Sequence, residues 1–349
     1  MKLSIVDIST VLPGETRHNA LMHSIELARY AEDLGYNRIW LAEHHGAGFI
    51  AGRAPEVLIA AIAANTSTIR VGSGSVLLNH YSSFKVAEVF CTLNELYPDR
   101  IDLGAGRATT GPVTDFALQQ DRSKQFQSDS NQQIAELVAW LDSSFPVSHP
   151  FSQSPLHTID SKPQLHLLGS SPWSASAAAE LGLRYVAAGF INQRGAYQII
   201  ESYRTNFKPS EKGSGIQIPE VILAIHVVCA DTEEEARRHL APVHVMYRNL
   251  SNGKLNIPIP DPDTAVKELG GLPKLEKYIP ESGILPKFIG GTPESVQEQL
   301  QYIAEDFSLG EIMIQDMIMD QKARLHSYEL LAAAFKLKNQ INEDADCSH

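Results

Sequence analysis

The strongest constraint on this chain is a regular alternation of short β-branched runs with longer segments of helical period, the pattern of parallel strands joined by crossover helices. Strands are expected over 3–8, 37–42, 69–78, 101–106, 165–168, 185–188, 221–229 and 311–315. Between the first two, Leu21, Ile25, Ala28, Ala31 and Leu34 recur at helical spacing and Gly35 supplies a stop. Pro55 opens an Ala/Ile-rich helix ending near 66. Ser82 and Ser83 are placed to cap a helix carrying Val86, Val89, Phe90, Leu93 and Leu96. Further helices are expected over 134–141, from a capping box of Asp231 and Glu234 to about 250, from Thr292-Pro293-Glu294 to 306, and over 321–338. Eight strands alternating with helices fit a (β/α)8 TIM barrel, with an open doubly wound sheet as the competing arrangement. Residues 251–291 are dense in Pro and Gly and read as an insertion, a candidate lid; 1–338 form one domain and 339–349 a polar, disordered tail.

Size and charge agree with that reading. A chain of 349 residues with 43% hydrophobic and 20% charged residues has the composition of one large globular core. Its 29 basic and 41 acidic side chains leave a net charge of −12, and no basic block interrupts the acidity, so neither nucleic acid nor an anionic membrane is an expected partner. The three cysteines are far apart, without CxxC spacing, and the N-terminus is too short in apolar run and too polar for a signal peptide. A cytoplasmic enzyme is expected.

In a barrel of this kind the chemistry lies where strands end. The second strand ends in Glu43-His44-His45-Gly46, and a histidine there titrates near neutral pH. Adjacent side chains on an extended strand point to opposite faces, so His44 and His45 are poorly placed to chelate one metal ion; His44 is the expected active group and His45 either packs or lines the pocket. The third strand ends in Gly72-Ser73-Gly74-Ser75 and then Asn79-His80-Tyr81, glycines that signal a bulge or a flat ligand against the backbone. The fourth ends in Gly104-Ala105-Gly106-Arg107, small residues beside a permanent cation. The fifth ends in Gly169-Ser170-Ser171-Pro172-Trp173-Ser174 at a helix start, which is either a phosphate seat or a set of ordinary caps. No GxxxxGK[ST] is present, so a nucleoside triphosphate is not implied. His166 and His226 lie on strands, but no HxH pair or late strand-end Asp completes a metal site.

These segments, in this order, resemble the bacterial-luciferase-like family of flavin-dependent monooxygenases over nearly the whole chain. The resemblance is carried by LAEHHG (41–46), RAPEVLIAAIAANTSTIRVGSGSVLLNHYSSFKVAE (53–88), LYPDRIDLGAGRA (96–108), LLGSSPWSASAAAELGL (167–183) and RLHSYELLA (324–332). It implies a (β/α)8 barrel that binds FMN, delivered as FMNH2 by a separate flavin reductase, at the C-terminal mouth. It assigns the FMN phosphate to Gly169, Ser170, Ser171 and Ser174 with Arg107 close by, and a non-proline cis peptide supporting the flavin to the neighbourhood of Gly74 and Ser75. His44 matches the family's acid or base beside the flavin, where a C4a-(hydro)peroxide forms from O2. Gly106 stands where bacterial luciferase has a cysteine, and Asn79 where close relatives often have proline; His45, Asn79, His80 and Tyr81 are assigned to the substrate pocket. A homodimer through helices 55–66 and 84–96 is implied as well.

The resulting expectation is an FMN-dependent monooxygenase using FMNH2 and O2 on a small apolar, aldehyde-like substrate. An F420-dependent hydride-transfer oxidoreductase and a non-catalytic flavin-binding protein on the same fold are the alternatives; no metal is expected.

Overall fold

The computed structural model describes residues 1–118, 129–153, 162–210, 213–254 and 257–338, so the expected tail 339–349 lies outside the described residues. In chain order the elements are β1 (Lys2–Asp7), α1 (Arg17–Leu34), β2 (Arg38–Leu41), α2 (Pro55–Ala63), β3 (Arg70–Ser73), β4 (Val76–Leu77), α3 (Ser83–Leu96), β5 (Ile101–Gly106), α4 (Pro112–Leu118), α5 (Ser130–Leu141), β6 (Gln164–Gly169), α6 (Pro172–Glu180), β7 (Arg184–Ala188), α7 (Ala196–Asn206), β8 (Val221–Cys229), α8 (Glu233–Ser251), α9 (Pro262–Leu269), β9 (Phe288–Gly291), α10 (Pro293–Asp306), β10 (Glu311–Gln315) and α11 (Gln321–Phe335). The strand order β10-β1-β2-β3-β5-β6-β7-β8, closed by parallel pairing of β10 with β8, is an eight-stranded parallel barrel with helices between strands. The TIM barrel expected from the alternation is therefore what the chain forms, and the open sheet is not.

Side chains sort by strand parity. On β1, Leu3 and Ile5 pack outward with helix residues such as Leu27 and Ala28, whereas Val6 joins Trp40, Val186, Ile222 and Met313 in the lumen. The lower lumen is an ion network. Asp102, fully buried, accepts from Arg38 Nη1 at 2.7 Å, Trp40 Nε1 at 2.9 Å and Arg70 Nε at 2.9 Å. Burial alone would raise its pKa, but Arg38 and Arg70 overcome that and hold it at about 2. His166, edge-on to Trp40 at 4.9 Å, belongs to this network, and burial and Arg38 depress its pKa to about 3. At the top, Arg324 on α11 donates to Asp7 at 2.9 Å and Asp316 at 2.9 Å, tying the helix to the ends of β1 and β10.

Several local expectations are corrected. The strand expected over 69–78 is broken: β3 pairs with β5 at Gly72↔Asp102 and β4 at Val76↔Ala105, so four residues on one side oppose three on the other. Within that bulge the Ser73 hydroxyl replaces the missing ladder bonds, donating to Gly104 O at 2.9 Å and accepting from Gly104 N at 3.0 Å. The insertion 251–291 is not irregular throughout, since it contributes α9 and the end of it is β9, which extends the sheet from β8. The cap of α8 is Thr232, whose side chain accepts from Glu235 N, rather than Asp231. Ser82 is the N-cap of α3 without a side-chain cap bond, and α2 stops at Ala63 rather than near 66. Among the described residues no helix is long and apolar enough to cross a membrane.

Candidate functional site

The C-terminal ends of the strands surround a cavity of about 630 Å³. Its wall contains His44, His45, Gly74, Ser75, Arg107, Gly169, Ser170, Ser171 and Ser174, which the sequence reading singled out from four separate strand ends. Val6, Ala42, Leu168, Ala188, Phe190 and Ile191 give the remaining wall its apolar character, and Gln315 adds one polar side chain on that side. Among the described residues none that lines the cavity comes from 251–291, the segment expected as a lid; its α9 packs against α8.

At the β6 end the chain turns straight into α6. Ser171 is the N-cap in extended conformation, its side chain makes no cap bond, and it lines the cavity at the start of α6, where the first N–H groups have no intrahelical acceptor. Ser174 is different, because its hydroxyl is already committed to Ser171 O at 2.9 Å. Gly169 is required by that packing: a Cβ there would lie 2.3 Å from Ser174 Oγ.

Arg107 extends this end from the last residue of β5. Its guanidinium stacks on the Trp173 ring at 4.5 Å from the centroid, and Nη1 donates to Ser130 Oγ at 3.3 Å. Trp173 Nε1 in turn donates to Asn131 Oδ1 at 2.9 Å. The first turns of α5 and α6 thus hold an exposed cation in place, and among the described residues Ser130 Oγ is the acceptor its guanidinium meets. Trp173, Ser130 and Asn131 were not read as site residues, and an indole beside two serines at a strand end was the available signal.

The shelf between these ends is backbone. The Gly74-Ser75 peptide is cis, as the family resemblance implied. A Cβ on Gly106 would come 2.4 Å from Ser75 Oγ, so the close approach of Ser75 to β5 requires glycine here.

On the β2 side, Glu43 is the residue that organises the wall, and it was not among the expected site residues. It is buried, and its Oε1 lies 2.6 Å from both His45 Nε2 and the Tyr81 hydroxyl, while Oε2 accepts from Leu77 N at 2.9 Å. His44 opens to the cavity but is closely surrounded by protein; that desolvation, reinforced by His45 and opposed by Glu43, lowers its pKa below the usual imidazole value. His44 is therefore neutral at pH 7 and able to accept a proton.

Asn79, His80 and Tyr81, expected in the substrate pocket, stand behind the wall. Asn79 pairs with the backbone of Ala108, donating to its O at 3.1 Å and accepting from its N at 3.3 Å. His80 faces Asp115 at 3.5 Å, and Tyr81 is held by Glu43. Of that group only His45 reaches the cavity. His226 is packed among Phe190, Tyr247 and Phe288, and among the described residues no group of three or more His, Cys, Asp or Glu is placed to hold a metal ion.

The profile of the luciferase-like monooxygenase family matches residues 1–308. The chain is 40% identical over 339 residues to uncharacterized protein YwcH of Bacillus subtilis strain 168, covering 96% of this chain and 99% of that one. It is 37% identical over 337 residues to the N-acetyl-S-alkylcysteine monooxygenase of the same organism, covering 96% and 98%. The crystal structure of apo-MsnO8 superposes with a TM-score of 0.85 at 43% identity, covering 96% of this chain and 98% of that chain. Two more distant structures share the fold and carry coenzymes: the oxygenating constituent of 3,6-diketocamphane monooxygenase with FMN (TM-score 0.67, 19% identity, 95% and 96% covered) and an F420-dependent secondary alcohol dehydrogenase with an F420-acetone adduct (TM-score 0.62, 15% identity, 95% and 98% covered).

Proposed function

The chain belongs to the luciferase-like monooxygenase family, and from that premise we propose that it is an FMN-dependent monooxygenase that uses FMNH2 and O2 on a small apolar, aldehyde-like substrate. The observation that carries the FMN assignment is Ser171, which makes no side-chain cap bond at the start of α6, lining one cavity with Arg107, whose planar cation suits a phosphate dianion. Gly74, Ser75 and Gly106 line the cavity with small residues, which suits a planar ring laid against backbone.

Ser170, Ser171, Gly169 and Arg107 would hold the phosphate, with Ser174 fixing the turn from behind. Reduced FMN, when bound, supplies the electrons that activate O2. His44, neutral at pH 7, takes or returns a proton through its ring nitrogen beside the shelf. The apolar side chains Val6, Leu168, Phe190 and Ile191 exclude water and favour an uncharged substrate. Arg107, Ala108 and Thr109 of the cavity wall are exposed, which supports delivery of FMNH2 from a separate reductase. Val57 on α2 and Leu96 on α3 are 67% and 63% exposed, which supports a homodimer through those helices. The free thiols of the buried Cys91 and Cys229 agree with a reducing cytoplasm.

The test is a single turnover with photoreduced FMN, decanal and O2. The reading predicts decanoic acid in proportion to FMNH2, by the balanced conversion RCHO + FMNH2 + O2 → RCOOH + FMN + H2O. Hydrogen peroxide as the sole product, with decanal and a panel of other apolar substrates recovered unchanged, would contradict it.

A further inference from the structure

One polar group in the cavity is unaccounted for. Gln315 ends β10, a strand otherwise reading Glu-Ile-Met-Ile, and its side chain lines the cavity beside Val6. It is 7% exposed, and among the described residues its carboxamide makes no side-chain hydrogen bond and is reached from the cavity. Its side chain lines the cavity, so the partner within its reach is a ligand, or the water that a ligand displaces.

The chemistry of that partner follows from the carboxamide itself, which presents a C=O acceptor and an NH2 donor side by side. A lone carbonyl on the ligand would satisfy the NH2 alone, and a lone hydroxyl offers a single O–H donor with no fixed edge. A ligand edge with a C=O next to an N–H satisfies both. Position adds a second argument. In the closed ring, Arg107 at the end of β5 and Gln315 at the end of β10 are opposite: β10-β1-β2-β3-β5 one way round and β5-β6-β7-β8-β10 the other. The Gly74-Ser75 shelf, in contact range of Val6 through Gly74, lies on the arc between them. A planar ligand whose anionic tail is held at Arg107 presents its far edge on the Gln315 side.

We infer that Gln315 is a cofactor-recognition residue that pairs with the imide edge of the flavin ring, the C=O/N–H edge of its pyrimidine portion. This rests on the FMN reading of the cavity and extends it from the phosphate to the ring.

The experiment is an anaerobic titration of the full-length protein with photoreduced FMN and with photoreduced N3-methyl-FMN, which lacks the imide N–H. Wild type, Gln315→Met, Gln315→Asn and Arg107→Ala are compared. Wild type is expected to bind the methylated flavin about tenfold or more weakly, because a site built to hydrogen-bond a group rejects the analogue that lacks it. Both Gln315 variants narrow that ratio to within about threefold, whereas Arg107→Ala weakens both flavins and leaves the ratio intact. Absence of discrimination by wild type, which needs no variant to fold, overturns the inference. So does equal weakening of both flavins by Gln315→Met, the result of a merely structural role. If Arg107→Ala leaves FMNH2 affinity unchanged, it is the FMN reading itself that falls.

Discussion

The Tyr81 hydroxyl donates to Glu43 Oε1 at 2.6 Å, and through this bond the segment after the strand-three bulge is fastened to the end of β2. The same carboxylate holds His45 at 2.6 Å and Leu77 N at 2.9 Å, so one buried side chain sets the wall against which His44 works. Glu43→Ala leaves a buried N–H and a buried hydroxyl without an acceptor, at about 1–3 kcal/mol for each unsatisfied group. The expected outcome is a lowered thermal midpoint and weaker FMNH2 binding together. A Glu43→Ala protein with wild-type midpoint and affinity would show that the wall does not depend on this hub.

His44 is predicted to act after binding. His44→Ala should retain FMNH2 affinity to within about threefold while turnover falls by about 10²–10⁴, the usual contribution of a positioned acid or base. Because its pKa lies below the ordinary imidazole value, the wild-type rate should hold as pH falls through 6.5 and decline only below it. Unimpaired turnover in the alanine variant removes His44 from the mechanism.

Two buried imidazoles make stability depend on pH. Burial, with Arg38, takes His166 to about 3, and burial takes His226 to about 4, against 6.5 for the unfolded chain. As pH falls below 6.5 the unfolded chain binds protons that the native state refuses, so stability is complete above that pH and is lost progressively toward 4 and then 3. Between pH 6 and 5, denaturation should show uptake of about two protons or more, a slope near 2.7 kcal/mol per pH unit. His226→Gln should remove about one of them. A stability that stays flat from pH 6 to 5 would contradict the buried neutral rings.

The bulge predicts an intolerant glycine. A Cβ on Gly104 would lie 2.0 Å from the Ser73 carbonyl oxygen, a backbone atom of the adjacent strand that has no room to withdraw. Gly104→Ala should therefore cost more than about 3 kcal/mol or abolish soluble expression, whereas Gly310→Ala, with nothing within 4 Å, should change stability by less than about 0.5 kcal/mol. Chemical denaturation of the pair reads the contrast directly.

The barrel is legible because its strands are continuous β-branched runs between helices of clear period, and the strand-end rule places His44, Arg107 and Ser171 at one mouth. What escaped depends on long-range pairing. β9 is four residues with two glycines in a Pro/Gly-rich stretch and becomes a strand only by pairing with Cys229 and its neighbours on β8. Glu43 gathers partners from positions 45, 77 and 81, a convergence that exists only once the bulge folds back. Asn79 looked like a pocket residue from its place after a strand, but the turn at Leu78–His80 swings it toward the Ala108 backbone instead. Gln315 did carry a signal, a lone amide closing an apolar strand, whose meaning required the cavity.

The central claim is that this cavity uses reduced FMN to place one atom of O2 into an organic substrate. A single turnover of the protein with photoreduced FMN and decanal under ¹⁸O2 tests it directly. The account predicts decanoic acid carrying one ¹⁸O atom, formed about 10²–10⁴-fold more slowly in His44→Ala. Acid without the label, or reduced flavin reoxidised wholly to labelled hydrogen peroxide while decanal remains, would contradict it.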